Sequence, residues 1–257
     1  MPEVDVRSVV DPSARLADDV VVGPFCTVGP EVTIGAGTVL KSHVNLDGFT
    51  EIGANCTVWP FASVGTRTQD LKYKGGRPGV RIGEGTTLRE YVTVNAATYD
   101  GDVTVVGNHC HIMAYAHVAH DCIVGNGVVM ANAATLAGHV IVEDGAIIGG
   151  LSGVHQFVRV GRMSITGGCS KVVQDIPPYM TADGNPLLVR GINKIGLERH
   201  GASKETVRAL REAYRLLYRK KLGARDMVAR SRETLPRLPE VEHLEAFVAD
   251  SERGITR

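Results

Sequence analysis

HVAHDCIVGNGVVMANAATLAGHVIVEDGAIIGG, residues 117–150, places a large aliphatic side chain at every sixth position: Val118, Val124, Met130, Leu136, Val142 and Ile148. The same phase runs back through Ile112, Val106, Val94, Leu88, Ile82, Val64, Val58, Ile52, Leu40, Ile34, Val28, Val22, Leu16 and Val10. It runs forward through Val154, Val160 and Val172. One phase held over about 160 residues is a structural repeat. Two residues before each aliphatic stands a small or β-branched residue, such as Cys26, Thr38, Ala62, Cys110, Cys122 or Ala134. Alternate residues of a strand share a face, so each pair fills one interior.

The position after the aliphatic is often glycine, as at Gly23, Gly35, Gly83, Gly107, Gly125 and Gly149. This predicts corners where a side chain would clash or where φ is positive. Short strands joined by such corners make a parallel β-helix, with three hexads, about 18 residues, per triangular coil and about 4.8 Å between coils. On this reading Cys26, Cys56, Cys110 and Cys122 are small buried residues and not ligands.

Composition supports a globular chain with many turns. Of 257 residues, 44% are hydrophobic, 30 are glycine and only 5% are aromatic. Lys plus Arg equals Asp plus Glu at 28 each, so no global field draws the chain to nucleic acid or a bilayer. No basic stretch leads into an apolar run at the N-terminus and nowhere do about 18 apolar residues stand together, which predicts a cytoplasmic protein without a transmembrane segment. Five scattered cysteines with no C-x-x-C pair argue against disulfides and a thiolate zinc site.

Two stretches break the repeat: residues 66–79 (TRTQDLKYKGGRPG) and 96–102 (AATYDGD), expected as projecting loops that carry function. The pattern fades after Val172, and Pro177–Pro178 are expected to stop regular structure. Beyond them, Ser203 can cap a helix bearing Val207, Leu210, Tyr214 and Leu217, and Val241, Leu244, Phe247 and Val248 mark a last helix. The expected organisation is a β-helix over 1–180 and an α-helical domain over 181–257.

In prism coordinates, residues 18 apart share a column. His120 then stacks on Gly138 and Gln156, and Asp121 on His139 and Phe157, with His155 one column aside and His117 on the coil of His120. Converging histidines permit acid/base chemistry, since an imidazole near neutrality takes a proton from a hydroxyl and a carboxylate can orient it. Adjacent side chains on a strand point to opposite faces, so His120 and Asp121 must sit at a corner to interact, or Asp121 must serve a neighbouring chain. Zinc is the competing reading, but the spacing of His117 and His120 does not match the ligand spacing of the hexapeptide-repeat carbonic anhydrases.

HVAHDCIVGN, NAATLAGHV, GAIIGGLSGVHQFVRVG, GGCSKVVQDIPPYM and QDLKYKG, in that order and in frame with the repeat, resemble the UDP-N-acetylglucosamine O-acyltransferases. The resemblance implies a left-handed helix and a homotrimer with sites between the prisms. It implies transfer of an (R)-3-hydroxyacyl chain from acyl carrier protein to the 3-hydroxyl of UDP-N-acetylglucosamine, the first step of lipid A biosynthesis, with neither cofactor nor metal. Carried onto this chain, His120 is the general base, Asp121 supports it and the Gly138 N–H holds the oxyanion. Gln69, Asp70, Lys72, His117, His139, His155 and Gln156 bind substrate, and Asn193, Arg199 and His200 meet the uridine nucleotide, His200 standing where the family often has a second arginine. Gly168 matches the position that limits acyl-chain length, and Pro186 stands where some members have histidine. Arg215, Arg219, Lys220 and Lys221 offer a basic landing for the acidic carrier protein. The alternatives are the later N-acyltransferase of the pathway or a 3-amino-sugar variant, a metal-dependent hydratase, and a non-catalytic scaffold.

Overall fold

The computed structural model describes all 257 residues. Each inward aliphatic closes a strand of two residues or slightly more, and successive strands visit three faces in turn. His111–Ile112 lies on face A, His117–Val118 on face B, Ile123–Val124 on face C, and Val129–Met130 returns to face A. Like faces stack into sheets of eleven, nine and eight strands, which together form a three-sided, left-handed parallel β-helix. Val118 pairs with Leu136, which fixes the 18-residue coil. Val58 pairs with Leu88 and Leu88 with Ile112, steps of 30 and 24 residues that accommodate the two interruptions of the repeat. Both interruptions leave the same edge, between face B and face C: one joins Ser63–Thr66 to Gly79–Ile82, the other Thr93–Asn95 to Val103–Val106.

The interior is built as the period requires. From Val22 to Val172 every large aliphatic of the repeat is buried, while Val10 and Leu16 are part-exposed at the open first coils. Burying each such side chain is worth about 1.5–3 kcal/mol, and a coil that stood alone could not bury its own.

The small interior slot has a second duty. The thiols of Cys26, Cys56, Cys110 and Cys122 donate to the carbonyls of Lys41, Gly83, Gly125 and Ala137 on the next coil, at 2.8–3.1 Å. Ser8, Thr38, Thr86 and Ser152 make the same bond with hydroxyls. A slot that admits Cys, Ser or Thr therefore satisfies a corner carbonyl that the sheet ladders leave free. Burial pushes all four thiols up, Cys122 to about 12, so they stay protonated donors.

Most corner glycines answer the first of the two reasons given for them, and Gly65, at φ 84°, answers the second as well. A Cβ on Gly35 or Gly53 would stand 2.7 Å from a backbone nitrogen of the coil above, so these positions are cleared for close stacking. Positive φ falls two residues later, and side chains usually occupy it: Phe61 at 64°, Tyr91 at 59°, Asp121 at 61°, His139 at 60°, Phe157 at 65°. On the edge between faces A and B this column stacks Phe25, His43, Phe61, Tyr91 and Tyr115 with ring centroids 4.7–5.0 Å apart.

Pro177–Pro178 do not end the sheet. They occupy a corner, where no ladder N–H is required, and the chain continues into Met180–Asp183, parallel to Ile165–Thr166 on face A, before folding back antiparallel as Leu188–Ile192. Four helices follow: α1 Lys194–Arg199, α2 Lys204–Tyr214, α3 Ala224–Thr234 and α4 Pro239–Ala249. The Ser203 hydroxyl accepts from the Thr206 N–H at the start of α2 as the sequence suggests, and a π-helical turn, Arg215–Arg219, extends it. The helices α1 and α3 are additions to the sequence reading.

One hydrogen-bonded carboxylate seats α4 on the prism. Glu143 Oε2 accepts from His243 Nε2 at 2.8 Å and from the Arg162 N–H at 2.7 Å. Burial pushes the Glu143 carboxyl up, but the bonds from His243 and Arg162 outweigh it and hold it below the usual range. Its folded value lies below its unfolded one, so its contribution is complete above about pH 4.3 and is lost as pH falls through the folded value. Glu143→Ala is expected to destabilise the protein by about 1–3 kcal/mol, with amide exchange in α4 accelerating more than in the central coils; unchanged exchange in α4 would show that the carboxylate does not hold it.

Candidate active site

The edge between faces B and C turns at His120. The backbone after Val118 leaves the strand, and the left-handed φ of Asp121 swings its side chain back toward its neighbour. Asp121 Oδ2 thus comes within 2.7 Å of His120 Nδ1 in the same chain, and the corner geometry removes any need for a second chain to complete the pair. The carboxylate's other oxygen accepts from the Thr98 N–H at 3.0 Å, and the Asp121 N–H donates to Thr104 Oγ1 at 2.8 Å. The side chains of His120 and Asp121 are 15% and 9% exposed, sheltered yet open at one side.

Burial pushes Asp121 up. The hydrogen bonds from His120, from the Thr98 N–H and from the Thr98 hydroxyl, together with His139, outweigh that and hold the carboxyl below its usual value. Asp121 is an anion throughout the neutral range. With Nδ1 facing this anion, His120 carries its proton there when neutral and leaves Nε2 unprotonated.

Gly138 lies one coil on, directly under the ring. A Cβ there would stand 2.6 Å from His120 Nε2, so only glycine leaves room for the imidazole where it lies. The Gly138 carbonyl accepts from the Phe157 N–H, whereas its own N–H makes no backbone hydrogen bond. A base and a backbone donor side by side suit deprotonation of a hydroxyl followed by attack on a carbonyl whose oxygen becomes negative.

His139 stands edge-on to His120, with centroids 5.3 Å apart, and stacks on Phe157 at 4.7 Å; its Nε2 is 3.6 Å from Asp121 Oδ2. His117, which opens its face B strand, has Nδ1 2.7 Å from Thr93 Oγ1. Burial, and then the charge of His120, lower its pKa, so His117 is neutral at pH 7. His155 and Gln156 are exposed on the next coil, with His155 Nδ1 donating to the Gln156 carbonyl. The first loop delivers Asp70 to the same corner, while Gln69 and Lys72 stand exposed beside it and the Lys72 N–H donates to Asp70 Oδ1. Asp70, His120 and His139 each offer a ligand atom, all within 4.8 Å of one another. Tetrahedral zinc holds its ligands roughly 3.4 Å apart, so a cation here would have to draw the trio together.

The remaining sequence-predicted residues lie elsewhere on the chain. Arg199 and His200 line a hollow of about 660 Å³ against face A, with Ile147, Met163 and Ile165. Asn193 lines it too, but its side chain is committed to the fold: Nδ2 donates to the Met163 carbonyl and Oδ1 accepts from the Gly196 N–H at the start of α1. Gly168 is exposed on the edge between faces A and B, above Gly150. One chain therefore assembles His117, His120, Asp121, Gly138, His139 and Asp70, and leaves Gly168 and the Arg199–His200 hollow on other faces. Sequence reasoning missed Thr68, Thr93, Thr98 and Thr104, whose hydroxyls or N–H groups brace the corner; single loop or strand threonines carry no pattern.

Two families match parts of the chain: "Udp N-acetylglucosamine O-acyltransferase; Domain 2" over residues 175–256, and "Bacterial transferase hexapeptide (six repeats)" over 104–138. An acyl-[acyl-carrier-protein]--UDP-N-acetylglucosamine O-acyltransferase of Thermodesulfovibrio yellowstonii is 48% identical, covering 100% of both chains. One from Stutzerimonas stutzeri is 43% identical, again over 100% of both. Among solved structures, LpxA from Acinetobacter baumannii superposes with a TM-score of 0.96 at 43% identity over 99% of both chains. LpxA, a UDP-N-acetylglucosamine acyltransferase, from Bacteroides fragilis gives 0.96 at 36% identity, over 99% of this chain and 100% of that one.

Gly138→Ala is expected to lower turnover by at least about 100-fold while leaving the fold intact, because the added methyl displaces the His120 ring. Wild-type turnover in that variant would mean that the ring position is not used.

Proposed function

The chain belongs to the UDP-N-acetylglucosamine O-acyltransferase family, and from that premise we propose that His120 is the general base of its reaction, oriented by Asp121 beside the Gly138 N–H. The protein transfers an acyl chain from acyl carrier protein to UDP-N-acetylglucosamine, the first step of lipid A biosynthesis. On our reading the donor is an (R)-3-hydroxyacyl thioester and the acceptor is the sugar 3-hydroxyl.

His120 Nε2 takes the hydroxyl proton as the oxygen attacks the thioester carbon. The imidazolium formed is stabilised through Nδ1–H by Asp121. The carbonyl oxygen becomes an oxyanion that accepts from the Gly138 N–H. When the tetrahedral intermediate collapses, the C–S bond breaks and the proton on Nε2 passes to the leaving thiolate, so the base is restored with no net proton change. The observation that carries this reading is the 2.7 Å His120–Asp121 contact over a side-chain-free Gly138.

Asp70, with Gln69 and Lys72 at the loop, and His117, His139, His155 and Gln156 around the corner supply the sugar and phosphate contacts in this proposal. Lys72 serves a diphosphate as a point charge. Asn193 shapes the nucleotide hollow by capping α1, and Arg199 and His200 face the nucleotide from it. Because that hollow and the His120 corner occupy different faces of one prism, we propose a homotrimer in which neighbouring chains complete each site, with Gly168 bounding the acyl groove. Arg215, Arg219, Lys220 and Lys221 are exposed on and after the π-helical turn, where they offer charge to acyl carrier protein. No helix is long and apolar enough to cross a membrane, and we propose a cytoplasmic site of action.

Purified protein, UDP-N-acetylglucosamine and a series of hydroxyacyl carrier proteins test the reading. His120→Ala is expected to lose about 100- to 10,000-fold in kcat, and the wild type is expected to be indifferent to chelators. Activity that survives the substitution would overturn the base assignment, and activity that a chelator abolishes would favour the cation arrangement of Asp70, His120 and His139. The profile of kcat/KM is expected to fall on the acid side of neutrality with the slope of a single proton. Asp121, held below the usual carboxylate range, stays an anion through that fall, whereas His117, lowered by burial, takes up its proton only on that same acid side. Light scattering is expected to give three times the chain mass of 27.5 kDa, and a monomer with full activity would overturn the shared site.

A further inference from the structure

Thr98 belongs to the second interruption of the repeat, and its side chain is 1% exposed. It touches three parts of the corner at once. Its N–H donates to Asp121 Oδ1, its Oγ1 lies 3.1 Å from His120 Nδ1, and the same Oγ1 lies 3.2 Å from Thr68 Oγ1 in the first loop. Thr68 is 6% exposed, and its Oγ1 accepts the Asp70 N–H at 3.1 Å. An unbroken polar line therefore runs from the backbone of Asp70 through two buried hydroxyls to the imidazole.

The bonding capacity of each hydroxyl gives this line a direction. A threonine hydroxyl has one proton to donate and two lone pairs. His120 Nδ1 carries its own proton toward Asp121, so Thr98 gives its proton to the Asp121 carboxylate and accepts from Thr68, whose Oγ1 in turn accepts from the Asp70 N–H. Buried away from water, neither hydroxyl has bulk solvent as a substitute partner, so displacing one leaves the other unsatisfied. The loop that carries Asp70 and the side chains that carry the proton are thus parts of one network.

We propose that Thr98 is a positioning residue that couples the Asp70 loop to the His120–Asp121 pair, holding the imidazole in its reactive orientation when the loop is seated on the sugar nucleotide. This rests on His120 being the base. Thr98 touches no reacting atom: its hydroxyl fixes the ring from the Nδ1 side, and its backbone N–H fixes the carboxylate. The chemistry it serves is deprotonation of an acceptor that Asp70 helps to hold, so loop seating and base orientation are set together.

The full-length enzyme tests this through Thr98→Val, which keeps the shape and the N–H and removes the hydroxyl. The expected result is a fall in kcat of about 10- to 100-fold, a raised KM for UDP-N-acetylglucosamine, an unchanged KM for the acyl donor, and recovery of most of the kcat in Thr98→Ser. Thr68→Val is expected to act in the same direction, and the double variant to lose little more than the worse single one, because both lie on one line. Wild-type kcat in Thr98→Val, failure of Thr98→Ser to recover it, or single losses that multiply in the double variant would overturn the proposal. Should Thr98→Val unfold, Thr68→Val and Thr98→Ser still decide: wild-type kcat in the first, or a loss in the second as deep as that of His120→Ala, would overturn it. His120→Ala assayed alongside separates the two readings. Activity in His120→Ala removes the base itself, whereas an inactive His120→Ala with a wild-type Thr98→Val removes only the coupling.

Discussion

The parallel ladder that binds each coil to the next is the constraint on which the rest of this molecule depends. Because the ladder fixes an 18-residue step, residues far apart in sequence become vertical neighbours, and the His139 N–H donates to the His120 carbonyl as one rung among many. The ladder holds only if each coil buries its aliphatic and small pair, which is why the period of six runs nearly unbroken. Where it is broken, both insertions emerge from one edge, beside the corner that carries His120.

That corner shows how a structural rule becomes a chemical one. A strand would send His120 and Asp121 to opposite faces; the left-handed φ two residues after the corner position brings them together. Other turns of the prism use the same backbone for stacked aromatic rings, and here the column holds Asp121, His139 and Phe157. At Gly138, one residue beyond the slot that close coils keep clear, the missing side chain makes room for the His120 ring. The bonds from His120 and then from the buried Thr98 keep Asp121 anionic in a sheltered place, and Thr104 accepts its backbone N–H.

The sequence read well where the physics is periodic. Val118, Cys122, Val124 and Gly125 have the interior and corner places that their six-residue phase assigned, and the columns His120–Gly138 and Asp121–His139 follow from counting in eighteens. It read less well where a residue's duty is a single bond. Pro177–Pro178 resemble a stop yet sit in a corner that needs no N–H, and the four interior thiols act as donors to corner carbonyls as well as fillers. Asn193, expected at the nucleotide, also has both ends of its amide engaged within the chain, Oδ1 capping α1 and Nδ2 donating to the Met163 carbonyl.

The amino-acid sequence by itself determined the prism, its 18-residue coil, the two insertions and the vertical proximity of the histidines, because hydrophobic period and strand pleat are local and repeat. Tertiary structure alone decided that His120 and Asp121 meet within one chain, since their contact depends on the sign of one backbone angle. It also decided that Thr68 meets Thr98, since their contact depends on the paths of two aperiodic loops. It separated the Arg199–His200 hollow from the His120 corner for the same reason: the face a residue occupies depends on how the whole chain winds, and no short stretch of sequence records the sum of those turns.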